Sequence, residues 1–165
     1  MRISSFLPVE AVQLHVPAKT AREIIESLGG ILSRSGYVKP GFVAATLKRE
    51  TAMPTGLPLG GQINAAIPHV DAEYVERPAL ALATLQDPVV FRNMVDPEAE
   101  VPVRLVIMLA LDNPKSQVEM LQQVAEILQN PSIVNRLMAA SSPDDVMAVL
   151  DSVGRTAPSS AESHP

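Results

Sequence analysis

The chain has 165 residues, a formal net charge of −5 and no cysteine. That length suits one domain with a substantial core, while the acidic balance excludes a broad nucleic-acid surface built from clustered Lys and Arg. The missing thiols exclude disulfides, thiolate metal sites and a cysteine nucleophile.

Hydrophobic residues make up 47% of the chain and aromatics only 3%, so the core is aliphatic, as in proteins that pack helices on a central sheet. Arg2 is not followed by a long apolar stretch, which argues against a secretory signal, and the longest apolar run, Leu105 to Leu111, is too short to span a bilayer. A cytoplasmic protein without direct membrane insertion is expected.

In chain order, Ala11 to Val16 alternates apolar and polar side chains and reads as a strand. Pro17 closes it. Ala18 to Ser33 carries Ala21, Ile24, Ile25, Leu28, Ile31 and Leu32 on one helical face, with Thr20 and Glu23 as a capping box. Pro40 is suited to the first turn of a second helix that runs to about Glu50 and leaves Arg49 and Glu50 at its C-terminal end. The run from Thr51 to Gln62 holds two Pro and three Gly, so a long irregular loop is predicted, of a length that is often functional.

Ile63 to Ile67 reads as a short strand ended by Pro68-His69, and Val70 to Arg77 as irregular chain. Ala79 to Leu85 is predicted as a third strand, with a turn at Asp87-Pro88 and a fourth strand at Val89 to Phe91. After an acidic loop, Asp96 to Glu100, the apolar run ending at Leu111 has the character of a strand covered on both faces at the sheet centre. Asp112-Asn113-Pro114 caps a long helix with Val118, Leu121, Val124, Ala125 and Leu128 on its buried stripe. Asn130-Pro131 breaks it, a helix covers about Ser132 to Ala140, and a last one runs from Pro143 to about Val153. The expected fold class is α/β, a single domain over residues 1–153 with a mixed sheet flanked by helices. A disordered tail is expected over 154–165.

Three histidines separate by context. His164 lies in the expected tail, and His15 reads as a structural histidine on a strand. His69 follows a strand end, where open α/β sheets place ligands, and a Gly-rich loop whose N–H groups can surround an anion. A neutral imidazole is a competent nucleophile near neutral pH, although a turn histidine that only hydrogen-bonds has the same local sequence. No metal is expected, because only Asp71 and Glu73 lie within a few residues and no second His does. Neither a Gly-x-Ser-x-Gly elbow nor a P-loop is present.

Arg49-Glu50, Thr55-Gly56 and Ala66-Ile67-Pro68-His69, with the strand Val103 to Leu111 and the helix after Asp112-Asn113-Pro114, resemble the fructose/mannitol-type IIA domain of the bacterial phosphoenolpyruvate-dependent sugar phosphotransferase system. The resemblance covers about residues 5–152. Pro54-Thr55-Gly56 and Asn113-Pro114 make it most like the galactitol-specific branch.

The resemblance implies a phosphoryl carrier without cofactor that takes the group from phospho-HPr on His69 and passes it to a IIB component, and through that to a membrane IIC component. It implies Arg49 as the site arginine, Thr55 and the Gly56 backbone as hydrogen-bond donors to the phosphoryl group, and Glu50 as the residue that positions Arg49. Mannitol-type members have a second histidine at the start of the long helix, and Lys115 or Ser116 is the expected replacement. The stretch Leu57 to Gln62 follows the family spacing only loosely. A regulatory IIA-like module that signals through His69 phosphorylation, and a structural domain whose site is retired, are the alternatives.

Overall fold

The fold is built on two long antiparallel strands. β4 (Ala79–Arg92) and β5 (Glu100–Ala110) pair along nearly their whole length in the computed structural model, which describes residues 2–162, with side chains through 153. Leu80, Leu82, Leu85, Leu105, Met108 and Leu109 on these strands are almost fully buried. Burial of consecutive residues means that both faces of this ladder are covered, and it explains why the sequence here is continuously apolar rather than alternating.

The remaining strands extend the ladder at both sides. β1 (Val12–Val16) lies parallel to β4; β3 (Ala65–Ala66) lies parallel to β5 and antiparallel to β2 (Gly56–Leu57). The order is β1-β4-β5-β3-β2, a mixed five-stranded sheet with β5 at its centre. Helix α1 (Ala21–Arg34) packs on β4 and on α2 (Phe42–Ala52). A second series, α3 (Pro114–Leu128), α4 (Pro131–Ala139) and α5 (Pro143–Glu162), packs in sequence, and α5 reaches β1. This is the expected α/β class.

Caps follow the sequence closely. The Glu23 N–H donates to Thr20 Oγ1, while Glu23 Oε2 accepts from the Lys19 N–H. Asn113 Oδ1 accepts from the Ser116 N–H, and Asn130 Oδ1 from the Ser132 and Ile133 N–H groups.

Several boundaries differ from expectation, each for a local reason. The two strands predicted around Asp87-Pro88 are one strand, β4, whose pairing is irregular between Thr84 and Val89. Arg104 bridges the gap: its guanidinium donates to the carbonyls of Leu85 and Gln86 at 3.1 and 3.2 Å, so the chain crosses a proline without turning. Helix α2 starts at Phe42, because Gly41 takes a left-handed conformation (φ 95°) and leaves Pro40 outside.

On α3, Val118 is 56% exposed and the buried stripe runs instead through Met120, Val124, Ile127 and Leu128. Helix α5 passes its expected end near Val153 and continues to Glu162. The tail expected over 154–165 falls on positions whose side chains, and from 163 onward whose backbone, lie outside the described residues.

The loop predicted for 51–62 contains strand β2. Glycine permits it. A Cβ on Gly56 would stand 2.5 Å from the carbonyl oxygen of Arg92, a separation that no side chain tolerates. With hydrogen there instead, Gly56 O accepts from the Met94 N–H at 2.8 Å, and the strand closes against the end of β4.

Candidate functional site

His69 is fixed by its neighbours before its own ring does anything. The Ile67 N–H donates to Thr55 O at 3.2 Å, and the Leu109 N–H on β5 donates to Pro68 O at 3.0 Å. The segment leaving β3 is thereby tied to the β2 side and to the central strand, and the imidazole stands at the end of β5.

The ring is held by Nδ1, which donates to the Ile67 carbonyl at 2.8 Å. A carbonyl only accepts, so Nδ1 carries the proton and Nε2 carries the lone pair. Nε2 has no hydrogen-bond partner among the described residues. Burial lowers the His69 pKa from its ordinary 6.5; the bond to Ile67 and the charge of Asp71 pull it back up, and Arg49 adds to the lowering. The neutral, nucleophilic form is therefore the ground state near neutral pH.

Arg49, near the end of α2, faces the same opening. Arg49, Thr55 and His69 line one cleft of about 610 Å³, whose other walls include Met53, Leu57, Met94 and Leu121. Arg49 Nη1 lies 3.7 Å from Asp71 Oδ1, and its Nε–H is buried with no hydrogen-bond partner among the described residues. A buried donor without a partner is costly, and an anion on His69 is the group whose oxygens suit a guanidinium edge.

Glu50 does not position Arg49 by hydrogen bonding. Its carboxylate accepts from the Thr55 N–H and from Thr55 Oγ1, both at 2.8 Å. Thr55 is 2% exposed, and both of its donors are committed to Glu50. The pair closes the turn between α2 and β2 and fixes one wall of the cleft. Burial raises the Glu50 pKa, while the Thr55 bonds and then the charge of Arg49 oppose the rise. The close packing of Gly56 accounts for the glycine at that position independently of any anion.

At the start of α3, Lys115 and Ser116 do not line the cleft. Lys115 is exposed, and the Ser116 N–H serves the Asn113 cap. The polar side chain of α3 that shares a narrow crevice with His69, Leu109, Leu111 and Leu121 is Gln117. Gln117 Nε2 donates to Val70 O and Leu111 O at 3.4 and 3.5 Å, two long bonds. Its helical phase was the available signal: Gln117, Leu121 and Ala125 are spaced by four, and a polar residue heads that stripe.

Among the described residues no group of three or more His, Asp or Glu side chains is placed to hold a metal ion, and no helix is long and apolar enough to cross a membrane.

The sequence model for the phosphoenolpyruvate-dependent sugar phosphotransferase system, EIIA 2, matches residues 5–153. The chain belongs to this family. It is 33% identical over 116 residues to the galactitol-specific EIIA component of Escherichia coli K12, covering 70% of this chain and 76% of that protein. It is 28% identical over 169 residues to the 2-O-alpha-mannosyl-D-glycerate-specific EIIABC component of the same strain, and there it spans 99% of its own length but a quarter, 25%, of the relative's. Among solved structures, IIA of the mannitol system in complex with phosphorylated IIB from Escherichia coli superposes with a TM-score of 0.71 at 29% identity, covering 88% of this chain and 97% of that one. This EIIA chain thus carries its family's fold together with a cleft lined both by His69 and by Arg49, whose Nε–H has no partner among the described residues.

Proposed function

We propose that the chain is a phosphohistidine carrier, receiving a phosphoryl group from phospho-HPr on His69 and passing it to a IIB component that serves galactitol or a related polyol or sugar. The observation that supports this most directly is the pairing in one cleft of an unpartnered His69 Nε2 with the unpartnered, buried Nε–H of Arg49.

In the transfer, the Nε2 lone pair attacks phosphorus as the P–N bond to the donor histidine breaks. That bonding pair returns to the donor nitrogen, and the donor ring, protonated on its other nitrogen, leaves as neutral imidazole. The proton stays on Nδ1 of His69, donated to the Ile67 carbonyl, so the phosphorylated ring is cationic and its hydrogen bond strengthens. Arg49 offers N–H groups to the equatorial oxygens, and Glu50 with Thr55 keeps the wall of the cleft in place. In the onward step a nucleophile of the IIB component attacks phosphorus, the P–Nε2 bond breaks and its pair returns to Nε2, so that His69 leaves as neutral imidazole.

The test is labelling with phosphoenolpyruvate, enzyme I and HPr. Acid-labile, alkali-stable label on the wild-type chain, lost in His69→Gln and discharged by a IIB component, is the expected result. A His69→Gln protein that still labels overturns the assignment. Label that remains on the chain in the presence of cognate IIB points instead to a signalling module.

A further inference from the structure

Asp71 is the one acidic side chain paired with Arg49 among the described residues, at 3.7 Å, and it follows His69 by two positions. Its backbone is fixed: Asp71 O accepts from the Tyr74 N–H at 3.2 Å at the start of the 3-10 turn Ala72–Tyr74. Its carboxylate makes no cap hydrogen bond to that turn, so holding the turn does not explain it. The other charged groups near the cleft are accounted for differently. Glu50 is spent on Thr55, and Glu73 is exposed with no ion pair among the described residues.

Resting on the carrier reading of His69, we propose that Asp71 is a positioning residue that holds Arg49 while the histidine is bare and is displaced by the arriving phosphoryl group, and so sets how tightly His69 keeps that group. A phosphoryl group on Nε2 competes for the guanidinium that Asp71 occupies and brings negative charge toward its carboxylate. Both effects disfavour the phosphorylated state relative to the bare one. Asp71 therefore raises the transfer potential of the carrier and favours donation to the next component. No bond changes at Asp71: the P–N bond forms at His69 as the donor P–N bond breaks, and only the ion pair is exchanged.

The experiment measures the equilibrium between phospho-HPr and the full chain, with catalytic enzyme I and limiting labelled phosphoenolpyruvate. Asp71→Asn is expected to raise the ratio of phosphorylated to bare chain by up to about fivefold, the range of an exposed ion pair. The shift shrinks in about 1 M KCl, where the Debye length falls to about 3 Å. Asp71→Glu, which keeps the carboxylate, returns the ratio toward the wild-type value. An unchanged ratio in Asp71→Asn, a shift toward the bare chain, or a Glu variant that behaves like Asn overturns the proposal. Failure of the wild-type chain to label, or labelling of His69→Gln, overturns the carrier reading and this inference with it, whereas normal labelling of His69 with no Asp71 effect overturns this inference alone.

Discussion

His69 and His15 are the same side chain in two settings. Each ring makes one hydrogen bond to a backbone carbonyl, His69 through Nδ1 to Ile67 at 2.8 Å and His15 through Nε2 to Ala140 at 3.1 Å. The His69 bond is local and leaves the outer nitrogen facing a cleft beside a guanidinium. The His15 bond uses the outer nitrogen to tie β1 to the chain after α4, on an exposed residue with left-handed backbone (φ 54°) and, among the described residues, no ion pair. One histidine keeps its outer nitrogen free beside a cation, and the other spends it on joining two elements. The difference lies in which nitrogen is spent and in whether a cation waits nearby, and not in the residue type.

Breaking the cation side of that contrast has the largest expected effect. Arg49→Lys replaces a planar fork by a point charge and is expected to slow phosphoryl transfer about 100-fold, read as the rate of label transfer from phospho-HPr, with circular dichroism unchanged. A variant at full rate would remove Arg49 from the site.

Next comes the floor on which the site stands. Gly56→Ala drives a methyl against the Arg92 carbonyl, 2.5 Å away, and is expected to cost about 2–3 kcal/mol of stability, measured by urea unfolding. An unperturbed midpoint would mean that β2 can shift freely.

A smaller effect follows from the depressed pKa of His69. Below pH 6.5 the unfolded chain takes up a proton that the buried folded imidazole resists, so this contribution to stability is complete above 6.5 and is lost as the pH falls through the lower folded value. The dependence of stability on pH between about 5 and 8 should be shallower in His69→Gln than in the wild type. Equal slopes would place the ring in water. Smallest of all, His15→Gln is expected to leave the transfer rate within about twofold, the usual scale for a surface change; a larger drop would end the contrast between the two histidines.

How much of this was readable beforehand depends on the range of the interaction. The central strand, the capping box at Thr20 and Glu23 and the Asn113 cap are local patterns, and they appear where the residues place them. His69, Arg49 and Thr55 were legible as a motif, and they do share a cleft. What could not be read was set by pairing across the chain. Arg104 lets β4 pass through Pro88 by donating to carbonyls 18 and 19 residues away, and close backbone approach turns the glycine-rich loop into β2. At the site, the choice of Gln117 over Lys115 or Ser116 depended on one helical phase, and the use of Glu50 to hold Thr55 rather than Arg49 depended on the path of the turn.

The bond between His69 Nδ1 and the carbonyl of Ile67 spans only two residues. The tautomer is therefore chosen by the histidine's own stretch of chain and needs no distant group to arrive. A carrier loads and unloads repeatedly while one large partner leaves and another docks, and any device that relied on a remote acceptor would have to be rebuilt at each exchange. On the carrier reading proposed above, the imidazole keeps its orientation through the cycle, and each loading encounter begins with the lone pair already aimed.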